Sequence, residues 1–296
     1  MKKFLFICVM AAIATCANAQ VQIIQTSKIM VKSNQDVEAA KERVKAELDK
    51  NKELSSFQRA IAKKMAGSIV KKQFKAAEQN RYAFGFTDGE HMQYCQWDGV
   101  NNRSAIFCPS MGRITVLDWK NGKTIVAFPA LKIAGQWDFS PEAAKQQGQS
   151  DPATMTMTKP IPEGAEVTEV NGFPCIPNVA FIEIQPGTTP ERTMVVDGKK
   201  MEVIPASGHI LVDDNGKDYF PSMYVDGENN TPVESIAAEL IDFKKGTINE
   251  QNFTLPSDYK TYKDPKSLNK ALLKLVKENK HVMQDPGKMV DVFWNL

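Results

Sequence analysis

The chain has 296 residues, 42% of them hydrophobic, with 37 Lys and Arg against 35 Asp and Glu. That is enough chain for one large domain with a full core, and the charge is too balanced for the basic footprint of a nucleic-acid-binding protein. The two charges become equal once Lys2 and Lys3 are set aside as part of a leader.

The leader comes first. Lys2 and Lys3, the apolar run Phe4 to Ile13, and Ala17-Asn18-Ala19 before Gln20 are the three parts of a cleavable signal peptide over residues 1–19. The apolar run is too short for a mature anchor, and no later run is longer. A periplasmic or otherwise exported protein is expected. A lipid anchor at Cys16 is the rival, with Thr15 a poor residue before such a cleavage site. Residues 20–296 read as a single exported domain: a strand and amphipathic helices over 20–80, an antiparallel sheet over 81–262 with a loop insert at 133–164, and a C-terminal helix and tail over 263–296.

Val21, Ile23, Ile24 and Ile29 suit a first strand. The period then changes. Val37, Ala40, Val44 and Leu48 recur at helical spacing, and Leu54, Phe57, Ile61, Met65 and Ile69 continue a second stripe, which predicts two helices or one broken helix over 35–79. Between Leu54 and Lys75 stand Arg59, Lys63, Lys64, Lys71, Lys72 and Lys75 and no acid. Such a basic helix can make transient contact with an anionic membrane surface. The commoner arrangement is a helix docked on the sheet with a basic outer face.

Strands are predicted from Tyr82 to Leu131, ending in the most legible local signal. Two β-prone runs flank Asn121-Gly122, the dipeptide of a type I′ hairpin turn. A two-residue turn there sets Trp119 opposite Thr124, Leu117 opposite Val126 and Thr115 opposite Phe128. The other face carries Ile114, Val116, Asp118, Ile125 and Ala127. Both faces are largely apolar, so each needs a cover. The covers are protein on both sides, or protein on one side and a ligand cavity on the other. In the second case Leu117, Trp119, Val126 and Phe128 line the cavity.

Of the cysteines beyond the leader, Cys95 and Cys108 fit a hairpin turning at Asn101-Asn102, which would place them opposite each other and within reach of a disulfide. Cys175 then remains as a small buried hydrophobe. Residues 133–151 read as a linker. Asp197-Gly198 and Asp214-Asn215-Gly216 mark two more hairpins, and Val233 to Phe243 is a strand or short helix. Asp264 as N-cap, Pro265, and the Leu268, Leu272 and Leu275 face make a clean last helix. No internal repeat is visible.

Little suggests catalysis. His91, His209 and His281 are far apart in sequence and none has a second histidine at metal spacing. Ser267-Leu268-Asn269-Lys270 matches Ser-x-x-Lys without the companion motifs of acyl enzymes. Asp213 to Asp218 resembles a calcium loop, with the glycine misplaced and the closing Glu absent. No cofactor or metal is expected. A cleft joining His91 or His209 to a nucleophile and an acid would revive a hydrolase reading.

The order of elements, with Val170 to Cys175 (Val-Asn-Gly-Phe-Pro-Cys) in the middle and Phe253-Thr254-Leu255-Pro256-Ser257-Asp258-Tyr259-Lys260 after Lys245-Gly246-Thr247-Ile248, resembles the LolA/LolB-like lipoprotein-carrier superfamily, in particular its uncharacterised periplasmic branches. The resemblance covers Tyr82 to Lys260. It implies an open half-barrel with helices on its concave side, sheltering acyl chains without catalytic groups. The expectation is thus an α+β protein with a curved antiparallel β-sheet (an open half-barrel) and helices packed on the concave face. Its expected role is non-catalytic: binding or carrying an apolar ligand such as lipid or lipoprotein acyl chains in a Gram-negative envelope. The alternative is a protein–protein interaction module of that envelope.

Overall fold

The structure is a computed structural model that describes residues 22–34, 36–50, 54–80, 85–140, 159–184, 187, 189–196 and 198–278. The signal peptide expected at 1–19, with Cys16, and His281 with the tail lie outside these residues. Gln22–Ser33 forms β1, and the odd-numbered side chains from Ile23 to Val31 are all buried on one face. Two helices follow, α1 (Val37–Lys50) and α2 (Ser56–Asn80). Asp36 caps α1, its Oδ1 accepting from the Ala39 N–H at 2.8 Å. Ser55 and Gln58 form a reciprocal capping box at α2, with bonds of 3.2 and 2.9 Å.

A meander comes next: β2 (Gly89–Asp98), β3 (Arg103–Cys108), β4 (Arg113–Asp118), β5 (Lys123–Phe128) and β6 (Ile133–Asp138). The second half holds β7 (Lys159–Pro160), β8 (Thr168–Val170), β9 (Phe173–Glu183), β10 (Thr193–Val196), β11 (Lys199–Val212), β12 (Asp218–Asn230) and β13 (Glu234–Lys245). Then come β14 (Lys260–Tyr262) and α3 (Pro265–Glu278). All fourteen strands form one open sheet, ordered β14-β6-β5-β4-β3-β2-β1-β13-β12-β11-β9-β8, with β10 beside β11 and β7 beside β12. Pairing is antiparallel except for β14, which runs parallel to β6. The α+β class and the open, curved sheet with helices stand as expected. The segment 133–138, read as linker, is β6, and 234–245 is a strand rather than a helix.

The meander contains a repeat that the sequence reading missed. Asp98, Asp118 and Asp138 recur every twenty residues, as do Asn101 and Asn121, and Pro109 and Pro129. Each unit is a strand, a four-residue loop, a strand and a 3₁₀ turn starting with proline (Pro109–Met111 and Pro129–Leu131). Asp98 and Asp118 each accept from the N–H and side-chain amide of the asparagine three residues on. Successive loops also bond to each other: Trp119 N–H to the Asn102 carbonyl at 3.0 Å, and Phe139 N–H to that of Gly122 at 2.7 Å.

These aspartate loops correct two registers. Strand pairing stops at Asp118–Lys123, so Leu117 faces Thr124 and Thr115 faces Val126. Asp98 pairs with Arg103, so Cys95 faces Ile106, not Cys108. Each hairpin is two residues out from the tighter turn, because the aspartate side chain closes a four-residue loop by accepting from the asparagine N–H and side-chain amide three residues on. The expected disulfide does not form: Cys95, Cys108 and Cys175 are free and buried. A two-residue shift keeps every side chain on its face, so the two apolar surfaces of the hairpin survive.

Both surfaces are covered by protein. Ile114, Val116 and Ala127 pack with Ala105 and Phe107 against Ile248 and Phe253, in the segment that follows β13. Gln96 pins that segment, its Oε1 accepting from Asn249 N–H at 3.0 Å and Asn252 Nδ2 at 3.1 Å. On the other face Val126, Phe128 and Ile133 pack against Leu268 and Leu272 of α3. α3 is capped as predicted: Asp264 accepts from the Ser267 N–H at 2.9 Å and from its hydroxyl at 2.7 Å, which commits Ser267 to the cap. A Cβ on Gly135 would lie 2.8 Å from Leu268 Cδ2 and 2.6 Å from Trp137 Cζ3, so α3 sits down because β6 has no side chain there. Gly135→Val is expected to destabilise the protein by about 2 kcal/mol, read by chemical denaturation, and to loosen α3 first in hydrogen exchange.

Asp98 is fully buried and paired to Arg103 Nε at 2.8 Å. Arg103 in turn meets Glu250 at 2.5 Å and lies 4.4 Å above the Phe253 ring, tying the meander to its cover. Burial alone would raise the Asp98 carboxyl, but hydrogen bonds from Asn101 and Arg103 outweigh it and hold the group below the usual carboxylate range. A depressed carboxylate adds stability above its unfolded pKa and loses it as pH falls through the folded value. Asp98→Asn should therefore cost about 3 kcal/mol at neutral pH. Thermal melts should show the gap to wild type closing below about pH 4.

Candidate functional site

The alternation of β1 places Gln25 and Ser27 in the same buried row as Ile23, Ile29 and Val31. Strand pairing sets Gln93 of β2 opposite Ser27. Three polar side chains thus meet in mid-sheet, exposed by only 3% (Gln25), 6% (Ser27) and 5% (Gln93). Apolar clusters flank them, Ile23 with Cys95, Trp97 and Ile106 on one side, and Ile29 and Val31 with Phe86, Met111 and Ile236 on the other.

This polar row is the floor of a cleft of about 300 Å³. Ile29, Ile236 and Ala238 add apolar lining, and Asn178, Ser207, Tyr224 and Asn229 bring β9, β11 and β12 to its edge. In a flat sheet β2 and β9 would stand about 24 Å apart, five spacings of roughly 4.8 Å. One small cleft touching both requires the sheet to curl around it, so the cleft occupies the concave face. α3 packs on that same face further along, since Cys95, Ile106, Thr115, Val126 and Gly135 are successive cross-strand partners.

The wall is built by a bulge in β11. The β9–β11 register shifts between Pro205 and His209. Gly208 there has φ +85°, and a Cβ would fall 2.1 Å from the Asp226 carbonyl oxygen, so only glycine fits. The Asp226 carboxylate takes the His209 N–H at 2.7 Å and its Nδ1 at 2.9 Å. Ser207 is held twice, its carbonyl accepting from Asn178 Nδ2 at 2.8 Å and its hydroxyl from the Glu228 N–H at 2.8 Å. Lys28, on the opposite face of β1 from the floor, pairs with Glu239 of β13 at 2.6 Å.

The floor is under-satisfied. Gln25 Nε2 donates to Ser27 Oγ at 2.9 Å, yet Gln25 Oε1 and Gln93 Oε1 meet no partner among the described residues. A buried polar group in that state costs about 1–3 kcal/mol. Both oxygens are closed to solvent in the ligand-free cleft, so the arrangement suits a ligand whose N–H or O–H donors draw the two glutamine side chains toward it while its apolar surface meets Ile29, Ile236 and Ala238.

The four residues expected to line a cavity do not line this one. Val126 and Phe128 are sealed under α3, Leu117 is buried, and Trp119 stacks edge-on against Phe139 with centroids 5.2 Å apart. The true floor had a sequence signature: Gln25 and Ser27 are polar residues in the buried phase of an alternating strand.

The histidines are divided. His91 is buried, its Nε2–H donating to the Thr87 carbonyl at 2.7 Å while Nδ1 accepts from Ser110 Oγ at 2.5 Å. No carboxylate joins them among the described residues. Burial would raise the neighbouring Cys108 thiol, but His91, Arg113 and Ser110 outweigh it and hold the thiol below its ordinary range. That thiol is sealed among Ile29, Val31, Phe86, Met111 and Ile236. His209 has the Asp226 carboxylate, but among the described residues no hydrogen bond joins its ring to the Ser207 hydroxyl, which accepts from the Glu228 N–H. Neither group brings base, acid and accessible nucleophile together. In the 213–218 turn, Asp213 Oδ1 is consumed by the Lys217 and Asp218 N–H groups, both at 3.0 Å.

No protein-family model matches this chain, and no curated protein matches it. Among solved structures it is similar to an uncharacterized conserved protein from Thermus thermophilus, at 11% identity and a TM-score of 0.28, over 59% of this chain and 83% of that one. So distant a likeness carries no argument about the site. The floor makes its own prediction: Gln93→Leu removes an unpaired buried group, and should raise the stability of the ligand-free protein by about 1 kcal/mol in chemical denaturation.

Proposed function

We propose that this chain is a non-catalytic binding protein of the cell envelope. It holds an amphipathic ligand, an acyl chain bearing hydroxyl or amide donors, in the concave cleft. The observation that carries the reading is the pair of buried, unpartnered acceptors on Gln25 and Gln93 beside apolar lining. A purely apolar ligand would leave both acceptors unmet, and a fully polar one would waste Ile29 and Ile236. At about 300 Å³ the cleft lies at the small end of ligand sites, which suits a head region or a short acyl segment. The export signal and the likeness of the chain's order to lipoprotein carriers support the envelope setting. No helix among the described residues is long and apolar enough to cross a membrane.

The test is to purify the protein without detergent, extract it and analyse the extract by mass spectrometry, alongside titration with N-acyl amino acid and hydroxy fatty acid probes. An amphipathic species should co-purify with wild type. Gln25→Leu and Gln93→Leu should each weaken probe binding by about tenfold, one lost hydrogen bond of roughly 1.4 kcal/mol, while folding is retained. An empty wild-type protein that binds neither probe would overturn the reading.

A further inference from the structure

α2 packs against α1, and neither helix has extensive contact with a strand among the described residues. The face turned to α1 is built of small side chains, with Ala66 and Val70 buried. The large apolar residues point the other way. Phe57 is 73% exposed, Ile61 44%, Met65 41% and Ile69 39%. Each is four residues from the last, so the row drifts by only about 40° per step around the helix. The expected docking of this stripe on the sheet does not occur.

The charge is arranged on the same side. Arg59 and Lys63 turn to α1, where Arg59 donates to the Asp49 carbonyl at 3.2 Å and Lys63 pairs with the Asp49 carboxylate. Lys64, Lys71, Lys72 and Lys75 are exposed beside the apolar row. Lys71, Lys72 and Lys75, with Lys41 of α1, surround a shallow groove floored by Gly67 and Ser68. No acidic residue occurs in α2 before Glu78.

We propose that the α1–α2 hairpin docks on the surface of an anionic phospholipid bilayer. Phe57, Ile61, Met65 and Ile69 enter the boundary between headgroups and acyl chains, and the lysine groove receives lipid phosphates. An exposed row of large apolar side chains, bordered within α2 by cations alone and with Glu38 of α1 the acid paired to Lys41 at the groove, is complementary to that surface. An acidic protein partner would meet the lysines but gives no reason for four large apolar residues in a row with no acid among them. A second copy of α2 would bring lysine against lysine.

Vesicle co-sedimentation of the chain from Gln20 onward tests it, with phosphatidylglycerol–phosphatidylethanolamine vesicles against phosphatidylcholine vesicles at low and high salt. Binding should require phosphatidylglycerol and weaken with salt. Lys71→Glu/Lys72→Glu/Lys75→Glu should lower partitioning by at least about tenfold. Phe57→Ser/Ile61→Ser should abolish it with the melting temperature unchanged, because both residues are exposed. Phe57→Trp should show a blue-shifted emission on vesicles. Equal partitioning into both vesicle types, no partitioning, or a concentration-dependent dimer that Phe57→Ser/Ile61→Ser disrupts without vesicles would each overturn the proposal.

Discussion

Everything in this protein hangs on β1 being hydrogen-bonded on both sides. It is the first described strand in the chain, yet it lies in the middle of the sheet, paired along most of its length with β2 on one side and β13 on the other. Among the described residues, the meander β2–β6 and the later strands β7–β13 have no other extensive strand pairing to each other. β13 lies some two hundred residues after β1, so the closing contact is long in sequence and slow to find. The two halves gain a common concave face only when it forms. A bulge between Thr26 and Ser27 adjusts the β1–β13 register at the floor of the cleft, where extra local twist helps the sheet to curl.

That central position makes the polar floor informative. A mid-sheet strand with both neighbours in place has every reason to carry apolar residues in its buried row, and β1 does so at Ile23, Ile29 and Val31. Gln25 and Ser27 interrupt the row, and β2 answers with Gln93. Apolar replacements would pack as well and remove unpaired acceptors, so fold stability does not account for these residues. The two flanking apolar clusters supply the rigidity that lets the strands tolerate the interruption, which is the usual relation between a functional site and its scaffold.

Period and composition made much of the fold legible. The alternation of β1, the helical spacing of α1 and α2, the Asp264-Pro265 start of α3 and the β10–β11 hairpin all stand where local chemistry put them. Register differs from expectation at two hairpins, and for one reason. Asn121-Gly122 alone predicts a two-residue turn, whereas Asp118, three residues before Asn121, recruits it and widens the loop; Asp98 and Asn101 do the same. Recognising the twenty-residue recurrence of Asp, Asn and Pro would have exposed both errors, since three aspartates at one spacing are a loop device. The site was harder to see. Its floor pairs residues from β1 and β2, and its wall depends on a bulge at Gly208 whose need for glycine appears only against the Asp226 carbonyl.

α2 shows how a correct pattern can still mislead about burial. Its apolar residues recur at helical spacing, and a globular helix ordinarily turns such a stripe inward. Here two apolar stripes share one helix, a small one around Ala66 and Val70 and a large one from Phe57 to Ile69. Only one can face α1, and the contacts of Arg59 and Lys63 with Asp49 turn the small one there. The larger stripe is left outside with the lysines. Burying it against the sheet would have been worth more than burying alanine. The capping box at Ser55 and Gln58 fixes where α2 starts, and the Asp49 contacts of Arg59 and Lys63 fix which face meets α1. The exposure of the large stripe is therefore built into the helix pair by its caps and ion pairs rather than left over from incomplete packing.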